Sequence, residues 1–395
     1  MNALMWTLRS HRSGRYSQPE ALVLLLFCVQ SFLPVGAAAQ ATAASTASRE
    51  VFPGQFWQTL SSLEKDGWSR EKLSASQQYA NTDSIHTSAV MIVQNGAVVD
   101  HWGDFDKKID AYSIRKSLLS ALYGIYSAEG VIDINETLEQ LGIDDSPDPL
   151  TKEEKQARVV DFLRARSGVY HAVDFETESM KKSRPPRGSH APGTFWYYNN
   201  WDFNVLGAIF EKQTGLKIGD AFYQRIAKPI GMQDFQPSDV FYFGGPPLSK
   251  YPTYHFEITA RDMARFGLLY LRHGRWNDKQ IVPAEWVEKS SHASEMVTAN
   301  GANVGGYEYL WWVDYGGVHF PEVSLPGIYS ARGSGAHYLF IIPTLDMVVV
   351  HRTDNDPPSR DAKTIAEIAN RGSVSQDRAE FGHLLKLILD ARVAQ

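Results

Sequence analysis

Strand-forming stretches lie near both ends of this chain, with a long helix-patterned middle between them, and that order limits the folds open to it. Near the start, residues 89–93 are an apolar run, Asn95-Gly96 follows, and 97–102 alternate. Asn-Gly between two such runs signals a hairpin, because both turn residues need a positive φ. Near the end, 337–342 and 347–351 are rich in β-branched residues and are joined through Pro343-Thr344-Leu345-Asp346. Between these ends, apolar spacing predicts helices from Ser113 to a stop at Gly130, over 159–166 before Gly168, over 204–213 before Gly215, and over 259–271. The stretch 181–193, with its prolines and glycines, is expected to be a loop, and 381–392 a closing helix. The expected fold is α/β in the α+β sense. An antiparallel sheet built from both termini is flanked by helices and interrupted by a large, mainly helical insertion over about 118–300. A cleft between two such lobes is a natural place for a site.

With 395 residues the chain is long enough for one large domain with a full core. Its net charge of −6, without a long Lys/Arg run, argues against nucleic acid as a partner. The first residues differ in kind. Arg9, Arg12 and Arg15 precede an apolar stretch interrupted by Gln30 and Pro34, and Ala37-Ala38-Ala39 follows. This pattern predicts a secretory signal over 1–39. The stretch falls short of the roughly 20 apolar residues that span a bilayer, so no stable membrane anchor is expected after cleavage. Residues 40–50 read as a flexible leader and 51–395 as the folded domain. Cys28 is the only cysteine and lies in the signal, so the mature chain has no disulfide and no thiolate site. These features predict export, with the bacterial periplasm as the expected location.

The chemistry centres on Ser113-Ile114-Arg115-Lys116. Residues i and i+3 of a helix share a face. A serine hydroxyl needs a base within reach, and a lysine can serve if burial and nearby positive charge lower its pKa. The same spacing recurs at Ser62/Lys65, Ser69/Lys72 and Ser179/Lys182, mostly in polar settings that suit surface helix pairs. Only Ser113 follows an extended segment and opens a long apolar helix. In Phe195-Trp196-Tyr197-Tyr198-Asn199-Asn200-Trp201, a phenol and a carboxamide two residues later either reach a cleft or belong to an aromatic core. Arg332-Gly333-Ser334-Gly335-Ala336 runs into the strand at 337–342. It is either a plain turn or a close backbone approach that brings the Ala336 N–H to an oxyanion.

Taken together and in this order, these segments resemble the penicillin-recognising serine hydrolases. The resemblance is to the group of class C β-lactamases, D-alanyl-D-alanine carboxypeptidases, esterases and 6-aminohexanoate-oligomer hydrolases. It runs from about Ala89 to Asp354. Tyr112 to Ser117 looks like the nucleophile segment, Pro192-Gly193-Thr194 with Tyr198-x-Asn200 and Leu206-Gly207 like the tyrosine motif, and 259–267 like a later helix. Gly305-Gly306-Tyr307 with Trp311-Trp312, then Gly333-Ser334-Gly335, looks like the approach to the third motif. The register with Tyr198 and Asn200 is favoured over Tyr197 and Asn199 by the distances to the flanking motifs.

The resemblance implies a β-lactamase/transpeptidase-like fold and an acyl-enzyme on Ser113. Lys116 is then the proton acceptor, Tyr198 relays the proton, Asn200 orients substrate or Lys116, and the N–H groups of Ser113 and Ala336 hold the oxyanion. Tyr112, Tyr197, Trp201, Gly333, Ser334 and Gly335 are expected to contact substrate, with Trp311 or Trp312 nearby. A small ester, amide or peptide is the expected substrate, and no cofactor or metal is implied. One departure bears on specificity. The third motif of β-lactamases and carboxypeptidases usually begins with Lys or His, and Gly333 stands in that place. Hydrolysis of esters or small amides is therefore expected before β-lactam or D-Ala-D-Ala cleavage. The alternative of another kind is a fold of this type that binds ligands without turnover.

Other chemistries find less support. The Gly-x-Ser-x-Gly elbow is absent, and no histidines pair at helix spacing for zinc. His171 either borders the cleft or is a loop histidine bonded to backbone.

Overall fold

The computed structural model describes residues 50–393 apart from 175, 300 and 355–373. The expected signal and nearly all of the leader lie outside the described residues, which belong to one compact unit, 49–395. Helix α1 (Arg70–Ala80) precedes strands β1 (Thr87–Gln94) and β2 (Ala97–Gly103). Asn95 and Gly96 take φ of 52° and 77°, the geometry that a two-residue hairpin turn needs. The short strand β3 (Ile109–Asp110) then leads into α2 (Ile114–Ala128).

The insertion carries α3 (Val159–Leu163), α4 (Glu178–Ser183), α5 (Asn200–Thr214) and α6 (Ile218–Phe222). Strands β4 (Val240–Phe243) and β5 (Thr253–Ile258) follow, then α7 (Ala260–Leu271). Two small hairpins, β6 (Arg275–Trp276) with β7 (Lys279–Gln280) and β8 (Thr298–Ala299) with β9 (Ala302–Asn303), flank α8 (Ala284–Ser291). The chain returns through β10 (Gly306–Glu308), β11 (Trp311–Val313), β12 (Tyr329–Gly333), β13 (His337–Ile342) and β14 (Met347–Thr353). Helix α9 (Val374–Asp390) closes it.

The main sheet is antiparallel, in the order β10-β11-β12-β13-β14-β1-β2, so strands from the two ends pair directly at β14 and β1. Alternation along the strands feeds two cores, as the period of two requires. Ala89, Met91 and Val93 of β1 join Leu339 and Ile341 of β13 in the core with α2 and α7. Val90 and Ile92 join Tyr338, Phe340 and Ile342 in the core with α1 and α9. Each such side chain contributes roughly 1.5–3 kcal/mol when fully buried. The termini of the domain are also pinned to each other: the Ser69 N–H donates to Ala391 O at 2.8 Å and the Val393 N–H to Gly67 O at 2.9 Å.

Three features position the site. Strand β3 pairs with β5, which ties the segment before Ser113 to the insertion. Buried Arg352 of β14 donates to the carbonyls of Ile258 (2.8 Å), Ile109 (2.8 Å) and Asp110 (2.9 Å), which ties the same segment to the main sheet. Helix α5 starts where the Asn199 side chain caps it, accepting from the Trp201 N–H at 3.2 Å, and ends at Gly215 with φ 69°.

Some expected boundaries shift. The helix expected over 159–166 stops at Leu163, because Ala165 turns left-handed at φ 54° and the Arg166 N–H closes onto Asp161 O at 2.6 Å. The expected loop over 181–193 begins inside α4, which the Thr177 hydroxyl caps. The closing helix starts earlier than expected, at Val374.

Candidate active site

Ser113 stands immediately before the first helical residue of α2, with φ −72°. One turn on, Lys116 is 1% exposed, and its Nζ is hydrogen-bonded to Ser113 Oγ at 2.6 Å. The amine lies 4.8 Å from the Tyr198 ring centroid and 4.7 Å from that of Phe203. Burial, and then the charge of neighbouring Arg115, hold the Lys116 pKa well below the ordinary lysine value. Among the described residues no carboxylate pairs with it to restore the charge. The amine is thus suited to accept a proton from the serine.

Tyr198 reaches the same point from the residues just before α5. Burial raises its phenol to about 12, against a hydrogen bond to Ser113 and the charges of Arg115 and Arg332. The ring stacks on Trp312 at 5.5 Å and 24° and meets Tyr307 edge-on at 5.8 Å. Two side chains, Lys116 of α2 and Tyr198 from just before α5, therefore converge on the Ser113 hydroxyl.

Asn199 is committed to structure. Besides capping α5, its Nδ2 donates to Val169 O at 2.6 Å and Asp202 Oδ1 at 3.0 Å. Asn200 is the first residue of α5, 8% exposed, with Nδ2 3.8 Å from Met180 Sδ. Tyr197 is half-buried, and its hydroxyl donates to Met180 O at 2.9 Å.

Beside Ser113, Tyr112 is half-buried and stacks on His337 at 5.1 Å and 28°. Gly333, the last residue of β12, lies against the same segment. A Cβ built there would meet Ala111 O at 2.8 Å and Tyr112 Cβ at 3.3 Å. Glycine is thus what lets the strand approach the segment before Ser113. Ser334 and Gly335 form the turn beyond it, and Gly335 O accepts from the Thr353 hydroxyl.

One expected substrate contact, Trp201, does not match its placement, and Ala336 is placed by its side chain and its carbonyl. Trp201 is fully buried, and its indole N–H donates to Asp145 Oδ2 at 2.6 Å, so it packs the core rather than lining a cleft. Ala336 lies in the turn past Gly333. Its side chain joins the core with α1 and α9, on the sheet face opposite α2, and its carbonyl accepts from His351 Nδ1 at 2.6 Å. Gly333, not Ala336, is the residue of this segment packed against Ala111 and Tyr112. Of the two tryptophans, Trp311 is buried and stacks on Phe266 at 6.1 Å, whereas Trp312 stacks on Tyr198.

Arg332, next to Gly333, is held by its neighbours, close enough for its charge to act on Tyr198. Its guanidinium packs over Trp312 (4.9 Å) and Phe320 (5.1 Å) and donates to Ser330 Oγ and His319 O, both at 2.9 Å. His171 is neither a cleft residue nor bonded to backbone. It is 4% exposed, with ring nitrogens 3.7 Å from Asp145 Oδ2 and 3.7 Å from Glu154 Oε2.

Sequence reasoning missed Arg115, Phe203 and Asp110. Arg115 is 4% exposed, lies over the Tyr254 ring at 5.2 Å, and depresses both Lys116 and Tyr198. Its position next to Lys116 was the available signal. Among the described residues no cluster of three His, Cys, Asp or Glu side chains is placed to hold a metal ion. No described helix is long and apolar enough to cross a membrane.

The family model described as Beta-lactamase matches residues 74–372. Among solved structures, the chain is similar to a putative 6-aminohexanoate-dimer hydrolase from Bacillus anthracis, with a TM-score of 0.57 and 21% identity over 87% of this chain and 89% of that one. It is similar to a penicillin-binding protein homologue from Caulobacter crescentus, with a TM-score of 0.54 and 12% identity over 77% of this chain and 97% of that one. A beta-lactamase from Mycobacterium bovis follows, with a TM-score of 0.51 and 16% identity over 78% of this chain and 99% of that one. At these identities the likeness is one of fold. No curated protein matches the chain.

Proposed function

The chain belongs to the beta-lactamase family and is a serine hydrolase of the beta-lactamase-related type, and on that premise we propose that it cleaves a small ester or amide through an acyl-enzyme on Ser113. The observation that carries this reading is the 2.6 Å contact between a buried, charge-depressed Lys116 amine and the Ser113 hydroxyl.

In the proposed cycle, Ser113 Oγ attacks the substrate carbonyl while its proton passes to neutral Lys116. The tetrahedral oxyanion is held by backbone N–H groups, one from Ser113 and one from the end of β12 near Gly333. Collapse breaks the ester or amide bond, and the leaving group takes a proton through the Tyr198 phenol. Water then attacks the acyl-enzyme and gives a proton back through the same groups, which releases the acid and restores Ser113. Asn200 and the faces of Tyr112 and Trp312 orient the substrate.

Gly333 favours ester and small-amide substrates over β-lactams, because the third motif offers no cation for a substrate carboxylate and Arg332 is engaged elsewhere. We also propose that residues 1–39 direct export to the periplasm, a reading supported by their basic, apolar and small-residue order.

Steady-state turnover of a p-nitrophenyl ester and of the matching anilide, by the native chain and by Ser113→Ala, tests the assignment. The reading expects turnover that the variant loses. Equal turnover in both proteins contradicts it.

A further inference from the structure

The segment from Ile109 to Ser113 carries the nucleophile, and its backbone takes an unusual path. Tyr112 has φ 47°, in the left-handed region that a bulky residue avoids. Such a conformation costs on the order of 1–3 kcal/mol and persists only where the surroundings hold it.

Here the hold is visible. Asp110 Oδ1 accepts the Tyr112 N–H at 2.8 Å, an i to i+2 turn closed by a side chain. Asp110 Oδ2 lies 2.6 Å from Nδ1 of His255, a residue of β5. Both side chains are buried, at 7% and 5% exposure. The His255 ring is itself fixed, stacked on Phe241 at 5.4 Å and edge-on to Phe243 at 5.2 Å. Downstream, the Tyr112 carbonyl accepts from the Arg115 backbone N–H at 3.2 Å and from its guanidinium at 3.3 Å. The turn therefore also places the charge that depresses Lys116.

The charge states agree with this geometry. Burial works against the Asp110 carboxylate, but His255, the Tyr112 N–H and Arg115 bring its pKa below the ordinary value. Burial lowers His255, with the Arg115 charge adding to that and Asp110 opposing it. A neutral ring donating Nδ1–H to an ionised carboxylate satisfies both partners.

We propose that Asp110 and His255 are a positioning pair for acyl transfer: the carboxylate locks the Tyr112 turn so that Ser113 starts α2 with its hydroxyl on Lys116, and His255 holds the carboxylate. Neither residue touches the reacting atoms. The inference rests on Ser113 being the nucleophile.

The test is the burst rate of acylation by a p-nitrophenyl ester, with its concentration dependence and the melting temperature, for the native chain and paired variants. Asp110→Asn keeps an acceptor for the Tyr112 N–H, and Asp110→Ala does not. His255→Asn keeps a donor near the Nδ1 position, and His255→Ala does not. The pair predicts that each alanine variant slows acylation about 10- to 100-fold with little change in the substrate dissociation constant read from the concentration dependence of the burst rate, since a misplaced reacting group costs rate rather than binding. Each asparagine variant should recover most of that loss. If Asp110→Ala fails to fold, the His255 pair decides. Alanine variants that acylate at the native rate overturn the proposal, as do asparagine variants that lose as much as alanine. If native protein acylates and the variants match it, only the positioning pair fails. If native protein shows no acylation of Ser113, the nucleophile assignment fails and this inference fails with it.

Discussion

The Lys116 amine lies 2.6 Å from the Ser113 hydroxyl, beside the rings of Tyr198 and Phe203, with Arg115 as the neighbouring charge. A hydrophobic wall and a like charge both favour the neutral amine. This relationship separates Ser113 from the other serines that share its spacing, because Lys65, in a turn, and Lys72 and Lys182, on helices, are all exposed.

The first prediction is a pH profile. With Lys116 held well below 10.5 and Tyr198 raised to about 12, the active form has a neutral amine and a protonated phenol. The kcat/KM for an ester should fall as pH drops through the depressed lysine pKa, because protonation removes the base. It should then stay level through mildly alkaline pH. A rate that keeps rising up to the ordinary lysine value near 10.5 would contradict a depressed Lys116. Lys116→Ala should lower acylation by about 10²–10⁴ or more, the range for losing a general base.

The second concerns Gly333. In Gly333→Ala the new methyl would stand 2.8 Å from Ala111 O and 3.0 Å from His337 Cβ. Relief requires moving backbone, and such overpacking costs roughly 1–3 kcal/mol. The variant should melt lower and acylate more slowly, since β12 moves away from the nucleophile segment. Native-like values of both, measured by thermal melting and burst kinetics, would show that the close approach is not needed.

The third uses His171. Burial disfavours its charge, but Asp145 and Glu154 outweigh burial and raise the ring to about 9. The folded value exceeds the ordinary 6.5, so the contribution to stability is fully present below about 6.5 and is lost as pH rises through about 9. A shift of this size is worth about 3 kcal/mol at most. Native protein should lose melting temperature between neutral pH and pH 10, and His171→Gln should show a flatter dependence. Parallel curves would contradict the assignment.

The fourth separates packing from catalysis at Trp201. Trp201→Phe keeps an aromatic ring but removes the donor to Asp145 Oδ2, which also accepts from Ser249 Oγ at 2.8 Å. The variant should lose about 1–3 kcal/mol of stability, the cost of an unmade buried hydrogen bond. Its folded fraction should acylate at the native rate. A selective loss of kcat without a change in melting would return Trp201 to the substrate cleft.

Local chemistry was the legible part of this sequence. Asn95-Gly96 marked the hairpin, and the spacing of Ser113 and Lys116 on one helix face put their side chains within reach. The sheet from both termini followed from strand patterns at the two ends. What was not legible depended on geometry across the chain. Asn200 and Trp201 are adjacent on α5, about 100° apart around the helix axis, and that turn carries Trp201 into the core. The turn after Gly333 carries the Ala336 side chain into the core with α1 and α9, which no local pattern announces. Asp110 and His255 are separated by 145 residues, and a contact at that distance leaves no spacing signal.

The most direct test of the account is the intact mass of the purified mature protein after incubation with an activated ester, alongside Ser113→Ala and a parallel incubation with a penicillin. The account predicts a transient acyl adduct from the ester that maps to Ser113 and is absent from the variant, with little or no stable penicillin adduct. An ester adduct that persists in Ser113→Ala, or the absence of any adduct in a native protein that turns the ester over, would contradict Ser113 as the acylated nucleophile.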